Sequence, residues 1–254
     1  MSFIYSRSFL ATDERTRKYI LPVRIIRQEG AVINANNLLE PKSLQISLNE
    51  PLVTVFENSG GSSCSAGILL DFGYEFHGGI RLMSAMSGSN AEIKVRLSFG
   101  ESVSEAVSCL GENGSCNDHS PRDIIVSVNQ LSDLEFGQSG FRFVYIQLLS
   151  PSTKWYIKSV MGVFVFRELE YFGSFSCSNE LLNRIFDTAA YTCHLNLQHM
   201  VWDGIKRDRL VWMGDAYPEM LAIRALFGDL PIVNESLKFA RQEAPLPSWI
   251  NAMP

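Results

Sequence analysis

The sequence predicts a β-sandwich followed by an α-helical segment, on three observations. Over roughly residues 20–170 the apolar residues fall in short alternating or continuous runs rich in Val, Ile, Phe and Tyr. Clusters of Gly, Ser, Asn and Asp separate these runs. From Asn179 onward the apolar period lengthens to that of a helix. The expected boundaries are 1–172 for the sandwich and 173–254 for the helices.

The strand candidates in chain order are YILPVRII, LQISL, LVTVF, GILLDFG, GGIRLM, AEIKVRLSF, IIVSV, FRFVYIQLL and WYIKSVMGVFVF. Their residue types suit a pleated, half-buried surface, and separators such as NSGGSSCSAG and SGSN carry turn chemistry, so an antiparallel sandwich is the expected architecture. Beyond YFGSFSCSNE, residues Leu181, Leu182, Ile185, Phe186, Ala189, Ala190, Cys193 and Leu197 recur at helical spacing. Ser178 is placed to cap this helix and Glu180 sits in its first turn, with the end expected near Met200. A second helix is expected from Asp215, with Pro218 in its first turn and Gly228 as its stop. A third runs from Asp229 to about Gln242. Three apolar faces need a covering layer, so the helices are expected either to begin a longer domain or to dock on the sandwich, the first being favoured.

Composition narrows the function classes. A net charge of −5 and no Lys/Arg cluster give a phosphate backbone nothing to bind, so no nucleic acid is expected. No apolar run approaches the roughly 20 residues that span a bilayer. No apolar leader precedes the first charges, so the chain as written is expected to be cytoplasmic, or periplasmic or secreted if a leader precedes it. Five cysteines without a C-x-x-C pair read as free thiols rather than a zinc site, although Cys109 and Cys116 are spaced to bridge in an oxidising compartment. No cofactor or metal is expected. SGGSSCSAG lacks the Lys of a phosphate loop and reads as a turn, and NDHSPRD around His119 reads as a polar turn. His77 is expected at a strand end, and Asn113 and Asn234 head glycosylation triplets.

One stretch carries the candidate chemistry. WDGIKRDRLVWMGD, residues 202–215, holds three aspartates, three cations and two tryptophans in a helix connection. A charged connection is often only a salt-bridged hinge. Sugar sites, however, combine carboxylates that bond ring hydroxyls with aromatic faces that pack on the ring. An Arg keeps a neighbouring carboxylate ionised while desolvation raises a pKa, and glycoside hydrolysis needs one protonated acid and one ionised base. The D-x4-D-x6-D spacing matches no EF-hand loop.

These residues resemble the signature of the α-L-rhamnosidases of glycoside hydrolase family 78: Asp, three residues, Arg, an acidic residue, three residues, Trp, two residues, Asp. Asp203, Arg207, Asp208, Trp212 and Asp215 meet each spacing. LLDFGYEFHGGIRL, VRLSFGE and FRFVYIQ resemble the strands that precede the helical domain in that family, so the resemblance covers about residues 60–254. It implies an (α/α)6 toroid of which this chain holds the first helices, and inverting hydrolysis of terminal α-L-rhamnosyl groups, with a rhamnose-containing carbohydrate as partner.

Carried over, the resemblance puts Asp208 at the general acid, Asp203 and Asp215 on the sugar, Arg207 beside them and Trp212 on the ring. The family usually has Glu at the acid position, and Asp208 is shorter by one methylene. Glu219 is a lower-ranked substitute. The family's general base lies downstream of Pro254, so the isolated chain is expected to hydrolyse nothing. The alternative reading is a non-catalytic carbohydrate-binding or structural β-sandwich protein.

Overall fold

A computed structural model describes residues 13–59, 65–86, 92–118 and 120–243. His119, Cys64 and most of SGGSSCSAG lie outside the described residues. Among the described residues nine strands form the sheet structure: β1 (Arg15–Ile20), β2 (Arg24–Glu29), β3 (Ala31–Ile33), β4 (Thr54–Asn58), β5 (Gly67–Ser84), β6 (Ile93–Gly100), β7 (Asp123–Val128), β8 (Asp133–Leu148) and β9 (Thr153–Arg167). Four helices accompany them: α1 (Val103–Val107), α2 (Glu180–Leu195), α3 (Met213–Phe227) and α4 (Pro231–Glu243). The chain divides into two units. One comprises Lys18–Phe164 with Gly204–Arg209, and the other holds Val165–Asp203, the chain before Lys18 and the chain from Leu210 onward.

In the first unit the strands run β3-β4-β9-β5-β8-β6-β7, with β2 on β5, and each of these ladders is antiparallel. The expected runs GILLDFG and GGIRLM are one 18-residue strand, β5. Its first half pairs with β2 and β8 and its second half with β9 and β8, with a break in register between Asp71 and Phe76. A bulged strand that changes partners turns one layer into the next. Gly73, at φ +87°, supplies the conformation this break needs.

Alternate residues of both halves, Ile68, Leu70, Phe72, Phe76, Ile80 and Leu82, meet in one core with Phe56, Phe99, Phe141 and Trp155. Phe76 and Phe141 lie 4.5 Å apart by ring centroid, and Phe99 and Phe141 4.8 Å, within the range of favourable aromatic pairs.

Three expectations are corrected here. YILPVRII is two strands, because the chain breaks at Leu21–Val23 around Pro22, which has no N–H for a ladder. LQISL is not a strand; Leu44 and Leu48 are exposed, and alternation alone did not bury them. His77 is not at a strand end but in the middle of β5, with no solvent exposure.

In the second unit α2 is capped by Asn179 rather than Ser178: the Asn179 side chain accepts from the Leu181 and Leu182 N–H groups. The helix ends at Leu195, short of Met200, and α3 begins two residues before Asp215. Gly228 closes α3 at φ +75°, as its sequence position implies, and Pro231 opens α4 where its missing N–H costs nothing. Ala190, Leu197, Val201, Ile223, Leu226, Phe227 and Ile232 form the core of this unit. The apolar stripe of α2 is only half used: Leu181, Leu182 and Ile185 are exposed. No helix among the described residues is long and apolar enough to cross a membrane.

Candidate functional site

The stretch Trp202–Asp215 is shared between the two units. Asp203, Trp212 and Asp215 belong with the helices, while Arg207 and Asp208 belong with the strands.

On the helical side, Asp203 and Leu210 close on each other. The Asp203 N–H donates to the Leu210 carbonyl at 3.1 Å, and the Leu210 N–H donates to Asp203 Oδ1 at 2.9 Å. One oxygen of the Asp203 carboxylate is therefore held by backbone. Trp212 is the half-buried residue from which α3 starts, and Asp215 lies in the first turn, where a negative charge suits the unpaired N–H groups. Glu219 follows four residues later, on the same face.

Asp215 and Glu219 line a recess of about 500 Å³ between α2 and α3, with Thr192, Cys193 and Asn196 facing them. Burial pushes the Glu219 carboxyl up to about 7, and the charges of Asp215 and Asp203 push in the same direction. Burial likewise raises the Cys193 thiol to about 11, so it is protonated and inert at neutral pH. Glu219 is therefore a carboxyl that holds its proton close to neutral pH.

On the strand side, Asp208 and Arg209 both adopt left-handed backbone, at φ +57° and +58°. Two successive non-glycine residues in that region are strained and persist only where the surroundings hold them. Arg207 Nε lies 3.7 Å from Asp208 Oδ1, with the guanidinium 74% exposed, so this ion pair is weak. Arg209 donates from Nη1 to the Gln138 carbonyl at 3.1 Å. No group of three or more His, Cys, Asp or Glu side chains among the described residues is arranged to hold a metal ion.

The structure thus brings Asp203, Asp215 and Glu219 together and sets Arg207 beside Asp208. What sequence reasoning ranked low was Glu219. Its signal was the i, i+4 spacing from Asp215, but the burial that raises its pKa depends on how α2 and α3 pack.

Comparison with known proteins adds to this picture. Residues 170–249 match the family described as bacterial alpha-L-rhamnosidase 6 hairpin glycosidase domain. An alpha-L-rhamnosidase of Formosa agariphila is 27% identical over 168 residues, which is 64% of this chain and 17% of that protein. The fold is shared with a rhamnosidase from Klebsiella oxytoca, solved with rhamnose bound, at a TM-score of 0.65 and 20% identity over 89% of this chain and 44% of that one. A family 78 rhamnosidase of Bacillus sp. GL1 gives 0.60 and 19% over 84% and 21%. The chain spans less than half the length of each of these relatives. The signature of residues 203–215 lies inside the segment that is similar to the bacterial alpha-L-rhamnosidase six-hairpin glycosidase domain.

Proposed function

We propose that the protein is an inverting glycoside hydrolase that removes terminal α-L-rhamnosyl groups, and that this chain supplies its proton-donating and sugar-holding residues. The observation that carries this reading is the match of Asp203, Arg207, Asp208, Trp212 and Asp215 to the family spacing, within the residues that the glycosidase family matches. Asp208 donates a proton to the glycosidic oxygen as the bond to the aglycone breaks. Asp203 and Asp215 accept hydrogen bonds from ring hydroxyls, and Trp212 packs on the apolar face of the sugar. Inversion then needs a second carboxylate, about 6.5–9.5 Å from the first, to activate a water. That role is assigned to no residue of this chain.

A second assignment has one observation in its favour. Glu219, held near a pKa of 7 by burial, carries a transferable proton at neutral pH. Kinetics on aryl α-L-rhamnosides, using the protein at its natural length, separates the two. Loss of a general acid slows poor leaving groups far more than good ones. If Asp208 is the acid, Asp208→Asn lowers kcat by roughly a hundredfold or more on a poor leaving group while rhamnose binding, followed by Trp fluorescence, persists. If that steep dependence appears instead in Glu219→Gln, the acid is Glu219. A wild-type protein that binds rhamnose but never turns over an aryl rhamnoside would make the chain a carbohydrate-binding protein.

A further inference from the structure

The three strand motifs of the sequence, DFGYEFHGG, SFGE and the FRF strand, lie outside the proposed chemistry, yet in the structure two of them grip the loop that carries Asp208. Lys206 is the centre of that grip. Its ammonium lies 2.6 Å from Glu105 Oε1 and 2.9 Å from Glu101 Oε2.

The Glu105 carboxylate is not free to follow the loop. Glu105 sits in α1, capped by Ser102, and its other oxygen accepts the Glu101 N–H at 2.9 Å. Gly100, at the end of β6, lets α1 fold this close: a Cβ there would stand 2.6 Å from the Ala106 nitrogen. From β5, His77 points Nδ1 at the Ile205 carbonyl, 3.2 Å away. Ile205 is itself buried, and a Cβ on Gly140 of β8 would fall 2.6 Å from its side chain. The backbone just before Lys206 is thus seated on strands, and the strained pair Asp208–Arg209 begins two residues after it.

We propose that Lys206 is a positioning residue: its two-carboxylate clamp on Glu101 and Glu105 sets where Asp208 stands. The idea rests on the glycosidase reading for its catalytic consequence, but the clamp itself is visible without turnover. Burial alone would lower the Lys206 pKa, and the bonds from Glu105 and Glu101 reverse that and raise it, so the ammonium stays charged in the clamp. Glu75 adds a third carboxyl to the cluster; burial first and the charge of Glu101 second push it up to about 7.

The test compares Lys206→Met with Lys206→Arg and Glu105→Gln in the protein at its natural length, by kinetics on an aryl α-L-rhamnoside and by amide hydrogen exchange. A misplacement of about 1 Å at a catalytic group costs on the order of a hundredfold. Lys206→Met should therefore lose about that in kcat with KM little changed. Lys206→Arg, which keeps the charge and can span both carboxylates, should recover most of the loss, and Glu105→Gln should fall between. Amides of residues 204–209 should exchange faster in Lys206→Met and Glu105→Gln, while those of β5 and β8 do not. An active Lys206→Met with wild-type kcat overturns the proposal, as does unchanged exchange in residues 204–209. A wild-type protein without turnover, together with faster loop exchange in the variant, removes the glycosidase reading and leaves the clamp standing.

Discussion

Arg142 closes a two-pronged ion pair on the fully buried carboxylate of Asp71, with Nε 2.7 Å from Oδ1 and Nη2 2.9 Å from Oδ2. Arg24 adds a third bond at 2.8 Å and the Gly73 N–H a fourth at 2.8 Å. The pair joins β5 to β8 at the point where their register breaks, which explains why DFG and FRF stand in the sequence as separate motifs.

Burial alone would raise the Asp71 pKa, but the bonds from Arg142, Gly73 and Arg24 outweigh it and hold the carboxyl at about 2. The folded-state pKa is below the ordinary 3.8, so the stabilisation is complete above about pH 4 and disappears as pH falls through about 2. The stability difference between the wild type and Asp71→Asn should be constant at neutral pH and shrink over that acid window, as measured by urea denaturation. Arg142→Met should cost about 2 kcal/mol at pH 7. This is less than the roughly 3–5 kcal/mol of a fully enclosed pair, because Arg142 is 36% exposed and Arg24 remains.

Glu219 predicts the opposite pH dependence. Its carboxyl is raised from 4.5 to about 7, so the folded protein binds a proton that the unfolded chain has already released. Stability should fall as pH rises between those values. Glu219→Gln should flatten that part of the curve and make the protein more stable than wild type at pH 8, with no gain at pH 4. Melting curves at the two pH values check this, and a carboxyl titration by NMR should show a midpoint near 7.

The capping of α2 offers a comparison between neighbours. Asn179 accepts from two backbone N–H groups at the helix start, at 3.0 and 3.4 Å. Asn179→Ala should cost about 1 kcal/mol, whereas Ser178→Ala should change stability by no more than about 0.5 kcal/mol. Equal losses in the two variants, measured by denaturation midpoint, would contradict the observed cap.

Much of the architecture was legible because it is written in local chemistry. Period-2 runs divided by turn residues gave the strands, and the change to helical period after Asn179 gave the helices. Gly228 marked the end of α3, since only glycine adopts its φ of +75° without strain. The spacing of Asp203, Arg207, Asp208, Trp212 and Asp215 was likewise readable, because it lies along one connection.

Other features arise from distant partners, and no short window contains them. The cap fell on Asn179 rather than Ser178 because adjacent residues of similar capping strength are separated only by the backbone path into the helix. LQISL alternates like a strand but has no ladder to join, and α2 leaves Leu181, Leu182 and Ile185 of its stripe exposed. Glu219 gained its raised pKa from burial beside α2, a helix that begins 39 residues earlier in the chain. Lys206 looked like one more charge in a charged loop. Its partners Glu101 and Glu105 lie about a hundred residues earlier in the chain, and only folding of the sheet brings them within hydrogen-bond reach.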